Sequence, residues 1–280
     1  MKVLMLGRWL PLGRRAGAGN REYDFGRHLA REHQLTVAFT TDDADDGYGP
    51  STLRQEFGDI EFAVVPRGWK YLTGAISLAT GDSCTLAYFR SPALSARLAD
   101  RMKTGRYDLV YVSSSSMIQY ALELDPAVPL LVDFGEVDSE WWRAQADLRS
   151  FPGANFYRTE AARLRTAEAA AAARASACIV ASRQAGAAVA RFAPWAPLTV
   201  IPAAAAPAEA NGAANEDDAA LAELDRLVAL VTRGGGAEAG ARLAPSHGAR
   251  PASEPLRADL GSPSINNHLP RHATEQRSRA

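Results

Sequence analysis

The sequence predicts a doubly wound α/β domain with a parallel sheet. Three observations carry this. Short apolar runs recur between stretches of helical period. The first of these runs, Lys2 to Gly7, is followed by a glycine-rich loop, a helix and a second apolar run, which is a βαβ unit. No repeat of solenoid length is visible in the 280 residues.

Taken in order, Lys2–Gly7 reads as a buried strand bounded by glycine. The loop Arg8 to Gly19 is rich in glycine and arginine, with Pro11 as a helix breaker. From Asn20 a helix follows: Tyr23, Phe25, Leu29 and Ala30 share one face, opposite Arg21, Glu22, Asp24, Arg27 and Arg31. Gln34–Thr40 is a second strand and Ile60–Val65 a third. Trp69–Thr80 reads as a helix ending near Gly81. Ser91-Pro92 opens a helix over 93–103, with serine as cap and proline in the first turn. Tyr107–Val112 is a fourth strand, and Ser113–Ser116 lead into a helix over Met117–Leu124. Val128–Phe134 is a fifth strand, Asp138–Leu148 a short helix and Asn155–Ala175 a long alanine-rich one. Ala177–Ala181 is a sixth strand, Ser182 caps a helix to Phe192, and Leu198–Ile201 is a seventh strand ending at Pro202.

Composition breaks at that proline. All 5 Trp, 9 Phe and 8 Tyr precede it, and residues 203–280 carry none. A chain so poor in bulky apolar groups buries too little surface to offset its ordering entropy. The expected domains are therefore 1–202 as the folded unit, 203–233 as a linker, and 234–280 as a disordered tail. Within the linker, Leu221, Leu224, Leu227, Val228 and Val231 have helical spacing. That helix either docks on the folded unit or stays alone and marginal.

Formal charge is −1, from 31 basic and 32 acidic residues, which gives no global attraction to nucleic acid. Cys84 and Cys178 lack metal-ligand spacing and read as two free thiols in a reduced compartment. The histidines form no metal motif, so neither metal nor cofactor is expected. The first apolar run is too short for a signal peptide, and no run approaches the ~20 apolar residues of a membrane span. The expected location is the cytoplasm, with contact at the inner membrane face left open.

Three constellations could carry chemistry, and each follows a strand. In open parallel sheets ligands lie beyond the carboxyl ends of the strands. Gly17-Ala18-Gly19 stands before the first helix, where backbone amides can face a phosphate, and Arg21 adds fixed charge. The dinucleotide pattern G-x-G-x-x-G fails there, because its last position is Glu22. The run Asp133-Phe134-Gly135-Glu136-Val137-Asp138-Ser139-Glu140-Trp141-Trp142 sets acids and tryptophans at a strand end. Carboxylates accept hydrogen bonds from polyols, aromatic faces pack on sugar rings, and a carboxylate can act as general base. The structural alternative is that Asp138 or Ser139 caps the next helix and the tryptophans pack in the core. Asp133 and Glu136 favour function, since unpaired acids are costly at such a place. Ser113–Ser116 either line a cleft or cap a helix.

The pieces K-V-L-M-L-G-R-W-L-P, R-H-L-A-R-E-H-Q-L-T-V, T-G-D-S-C-T-L-A-Y-F-R-S-P, D-F-G-E-V-D-S-E-W-W and C-I-V-A-S with L-T-V-I-P together resemble one family. It is the N-terminal domain of glycosyltransferase family 4 enzymes of the GT-B fold, with closest likeness to sugar transferases of exosortase and exopolysaccharide loci. The likeness covers about residues 1–202. It implies an acceptor-side, Rossmann-like half that faces a donor-binding half across a cleft. It also implies a nucleotide sugar as donor and a glycan or lipid-linked acceptor. By resemblance Gly17 and Arg21 match the family's phosphate-approaching loop, and Asp133, Asp138 and Ser139 match its D-F-x-D-V-D-S run, with Glu136 in place of an aspartate. The expected catalytic residues are Asp133, Glu136 and Asp138; Gly17, Gly19, Arg21, Ser114, Ser139 and Trp141 are the expected substrate-binding ones.

The family continues past V-I-P into an N-G-V-D turn, a full second domain and a paired-glutamate donor motif. Here Pro202 runs into four alanines and a low-complexity stretch. The chain therefore reads as truncated, frame-shifted or half of a split enzyme, weak or inactive alone. The alternative is a non-catalytic glycan- or nucleotide-sugar-binding module. A missing half would leave an apolar face open, so a separate C-terminal partner or self-association is expected.

Overall fold

The computed structural model of the chain describes residues 1–8, 21–41, 50–202 and 213–233. Seven strands form one parallel sheet: β1 (Lys2–Leu6), β2 (Gln34–Thr41), β3 (Asp59–Val64), β4 (Leu109–Ser113), β5 (Leu130–Gly135), β6 (Ala177–Val180) and β7 (Leu198–Val200). Their order is β3-β2-β1-β4-β5-β6-β7, with parallel register throughout. All seven were expected, within two residues at each boundary. The five central strands are buried on both faces, as parallel sheets require, while the edge strands β3 and β7 are partly open.

The helices are α1 (Arg21–Glu32), α2 (Pro50–Phe57), α3 (Arg67–Thr80), α4 (Cys84–Phe89), α5 (Pro92–Thr104), α6 (Ile118–Leu122), α7 (Asp138–Asp147), α8 (Gly153–Arg174), α9 (Arg183–Phe192) and α10 (Ala213–Arg233). α3 stops at Gly81, whose φ of 85° is the left-handed conformation that closes a helix. Ser91 and Ser182 cap α5 and α9 by accepting from Leu94 N and Ala185 N. Two helices were not anticipated, α2 and α4. The helix expected over Met117–Leu124 is shorter, because Ser115–Met117 form a 3-10 turn ahead of α6. Nor do Asp138 and Ser139 cap α7, whose cap position is Val137. Both cysteines are free, and no helix among the described residues is long and apolar enough to cross a membrane.

The strand order explains the helix placement. Right-handed crossovers from β1 to β3 put α1 and α2 on one face, where Tyr23, Phe25, Leu29, Leu53 and Phe57 pack. Beyond β1 the order reverses, so α6, α8 and α9 cover the opposite face of β4 to β7. The first face of β4, β5 and β6 is then left without a crossover helix. α10 fills it: Leu224, Leu227, Val228 and Val231 pack with Tyr111, Leu131, Ala177 and Ile179. His28 Nε2 of α1 also lies 2.8 Å from Asp225 Oδ1 of α10. Docking is thus the outcome for the apolar stretch expected over 217–232, and the packed unit reaches past Pro202. The intervening 203–212 and the stretch 234–280 lie outside the described residues.

α3 is inverted. Trp69, Leu72 and Ile76, at i, i+3 and i+7, are about half exposed, while Lys70 and Ser77 are buried. α10 supplies the first prediction. Leu227 is wholly buried, so Leu227→Ala is expected to cost about 2–5 kcal/mol in chemical denaturation. A loss within the ~0.5 kcal/mol of an ordinary surface change would show that the helix adds nothing to the core.

Candidate functional site

Reversal of strand order between β1 and β4 opens a crevice at the carboxyl edge of the sheet. Three strand ends deliver side chains to it: Arg8 after β1, Ser114 after β4 and Asp138 after β5. Arg8 Nη1 lies 3.2 Å from Asp138 Oδ2. Ser114 Oγ donates to the same oxygen at 3.3 Å. Oδ1 of Asp138 takes no bond from the described residues, and that side chain keeps 22% of its surface open. The Arg8 guanidinium also stands 5.8 Å from the centre of the Phe89 ring at the end of α4.

The backbone at this edge is unusual. Among the described residues, Ser114 (φ 80°) and Val137 (φ 64°) are the non-glycine residues at positive φ, a conformation that is a genuine outlier for a β-branched residue. β5 also carries a register shift between Asp133 and Gly135, and Gly135 has φ 59°. Bulges of this kind re-aim a strand end beside a site. Here the chain turns so that Asp138 points back across β4 to Arg8.

Asp133 does not reach the crevice. It is 2% exposed, and both its oxygens are used inside the fold. Oδ2 accepts from Arg21 Nε at 2.7 Å and from Tyr111 OH at 2.8 Å, and Oδ1 accepts from Gly135 N at 3.0 Å. Burial, and then the Asp133 charge, push the Tyr111 hydroxyl well above its ordinary pKa, so it remains a donor. Arg21 is committed as well. Its Nη1 donates to the carbonyl of Ile201 and, at 3.0 Å, to that of Pro202, and its guanidinium covers the Phe25 ring at 4.4 Å. This pair ties α1, β5 and the chain leaving β7 into one knot. Arg21 and Asp133, expected to meet a phosphate and an acceptor hydroxyl, pair with each other, while Arg21 Nη2 is buried without a partner among the described residues.

Ser139 is likewise turned inward. Its N–H donates to Glu168 Oε1 at 3.1 Å and its hydroxyl to Oε2, while Ser115 Oγ donates to Oε1 at 2.7 Å. Glu168, on α8, is wholly buried. Burial pushes its carboxyl up from 4.5 to about 7, against the pull of these donors, with the nearby Asp138 charge adding to the rise. Glu136 is exposed and accepts from Ser182 Oγ at 3.2 Å, away from Asp138. Trp141 packs edge-on against Trp142, whose Nε1 donates to Thr85. Gly17 and Gly19 lie outside the described residues.

The structure therefore unites Ser114 and Asp138 and adds Arg8 and Glu168, which the sequence reading passed over. Arg8 had a signal, as a cation directly after the first strand. Glu168 had none, because its partners stand 29 and 53 residues away. A cavity of about 370 Å³ opens at the opposite edge of the sheet, lined by Lys2, Gln34, Asp59, Arg101 and Tyr107. Within it Arg101 is paired with Asp59 and Glu61 at 2.5 and 2.6 Å. No protein-family model matches the sequence, and comparison with curated proteins finds no significant relative.

Two predictions follow from the buried acids. Removing one partner of a buried pair strands the other, so Arg21→Ala is expected to destabilise the fold by about 3–5 kcal/mol; a near-neutral change in denaturant titration would refute the knot. Glu168 binds its proton more tightly folded than unfolded. Its contribution to stability is whole below about pH 4.5 and is lost as pH rises to about 7. The wild type should therefore lose up to about 1.4 kcal/mol per pH unit across that window relative to Glu168→Gln. An equal or opposite slope in the variant would contradict the buried-carboxyl assignment.

Proposed function

We propose that this chain is the acceptor-side half of a GT-B sugar transferase, and that the crevice between β1 and β4 holds the acceptor sugar. The observation that carries the reading is the open Oδ1 of Asp138, a carboxylate oxygen with no internal partner, set at the switch point beside Ser114 and Arg8. A sugar presents adjacent hydroxyls that donate to a carboxylate and exchange bonds with a serine. Arg8 adds a fixed cation suited to a phosphate or carboxylate on the same ligand. The order of sequence pieces supports the family, and the donor is then a nucleotide sugar bound mainly by a second domain. Asp138 is the candidate general base, because Asp133 is spent on Arg21.

A lipid-linked acceptor would bring the chain to a membrane surface. The exposed Trp69, Leu72 and Ile76 on α3 suit the interface, where such residues lie among headgroups. The same stripe suits a separate donor-binding half or a second copy of the chain. The alternative is glycan binding without transfer, which the same open carboxylate oxygen would also serve.

Calorimetric titration of the full chain with UDP-glucose, GDP-mannose, a short prenyl-diphosphate glucose and cellotetraose tests the site. At least one should bind, and Asp138→Asn should weaken it by about tenfold or more, the worth of one bond to a charged group, with the fold unchanged. If none binds at millimolar concentration, the sugar reading fails. Product formation on mixing donor and acceptor would separate transfer from binding alone.

A further inference from the structure

We infer that Glu168 is the positioning residue of the crevice: through Ser115 and Ser139 its buried carboxylate fixes the two strand-end turns that set Ser114 against Asp138. The inference rests on the crevice being the ligand site. Ser114 immediately precedes Ser115, and Asp138 immediately precedes Ser139, so each crevice residue is one peptide from a residue held by Glu168. Each turn also contains one of the non-glycine positive-φ residues, Ser114 and Val137. Such conformations persist only where surrounding bonds over-determine them. One carboxylate, 0% exposed, supplies those bonds to both turns at once.

The clamp depends on charge. As a carboxylate, Glu168 offers two acceptor oxygens to three donors. With a proton on one oxygen, it becomes a weaker acceptor and adds a donor of its own. Of the charges on the elements packed around α8, Asp138 on α7 is the one that raises Glu168, and it is the crevice residue itself. Glu140 on α7 is held by Arg143, Arg165 and Arg191. Asp133 on β5 is held by Arg21. On α4 the Cys84 thiol is raised further above neutrality by burial, and on α6 burial pushes the Tyr120 hydroxyl well up while it is bound to Ser91 and Phe89. Glu140 is lowered and Cys84 and Tyr120 are raised, so these three stay away from neutrality. Glu168 and Asp138 therefore form a coupled unit in which loss of the Glu168 proton tightens the turns.

Carboxyl NMR of the full chain, labelled at aspartate and glutamate, tests the clamp without a ligand. In the wild type the Asp138 signal should show a step at the Glu168 midpoint, near pH 7; in Glu168→Gln that step should vanish. The binding arm uses UDP-glucose and cellotetraose, which exchange no proton in this range. Wild-type affinity should fall about threefold or more from one unit above the midpoint to one unit below, and Glu168→Gln should bind weakly and evenly at both. An Asp138 titration without the step, or a pH profile shared by both proteins, overturns the role of Glu168 and leaves the crevice as a site. Failure of both probes to bind, with the Asp138 step present, overturns the ligand site and leaves the clamp. Should Glu168→Gln not fold, Ser139→Ala serves instead. It deletes a bond that lowers the Glu168 pKa, so the midpoint should move up and the Asp138 step with it; an unmoved midpoint refutes the clamp.

Discussion

A seven-stranded parallel sheet must be covered on both faces, and right-handed crossovers cannot do so alone. This constraint organises the molecule. Because the order runs outward from β1 in both directions, α1 and α2 lie on one face and α6, α8 and α9 on the other. The reversal has two consequences. It opens the crevice between β1 and β4, and it leaves Tyr111, Leu131 and Ile179 bare until α10 returns to cover them. Site and closing helix are products of the same topology.

Three of the four carboxylates buried among the described residues each hold separate pieces of chain together. Asp133 joins β5 to α1 and β4 through Arg21 and Tyr111. Glu160 accepts from Ser83 Oγ, Cys84 N and Thr85 N at 2.6, 2.8 and 2.9 Å, which fixes the start of α4 on α8. Glu168 joins the turns after β4 and β5. An acid buried without such donors would cost several kcal/mol. With them, the acids become the points at which distant segments are brought into register. Asp138, by contrast, keeps one oxygen without a bond from the described residues.

The strands were legible because each is a short apolar run, and all but β2 end at or within two residues of a glycine, proline or serine. α5 and α9 were legible from Ser91-Pro92 and Ser182, whose caps are local. α4 was not, since six residues cannot sustain a helix by periodicity and its first turn is satisfied by Glu160 from another element. At the candidate site, the sequence marked both Arg21 and Asp133 but could not show that they meet across 112 residues. The argument that an unpaired acid at a strand end is costly was sound, and here the cost is removed by pairing. Glu168 was hidden in the alanine-rich run of α8, where acids at 160 and 168 repeat on one face and resemble solvated surface.

The strain at the carboxyl edge makes the last step of the argument. Residues held in sparsely populated backbone regions cost of order 1–3 kcal/mol each, so Ser114 and Val137 together draw on a sizeable part of the stability of a domain. β4 could end in an ordinary turn into α6, and β5 in an ordinary cap on α7. What the two strained turns achieve is local: they bring Ser114 and Asp138 within 3.3 Å, with Arg8 beside them and one carboxylate oxygen open. Three hydrogen bonds to the Glu168 carboxyl hold both turns in place. Strain and a buried acid are thus concentrated together at the switch point of the sheet.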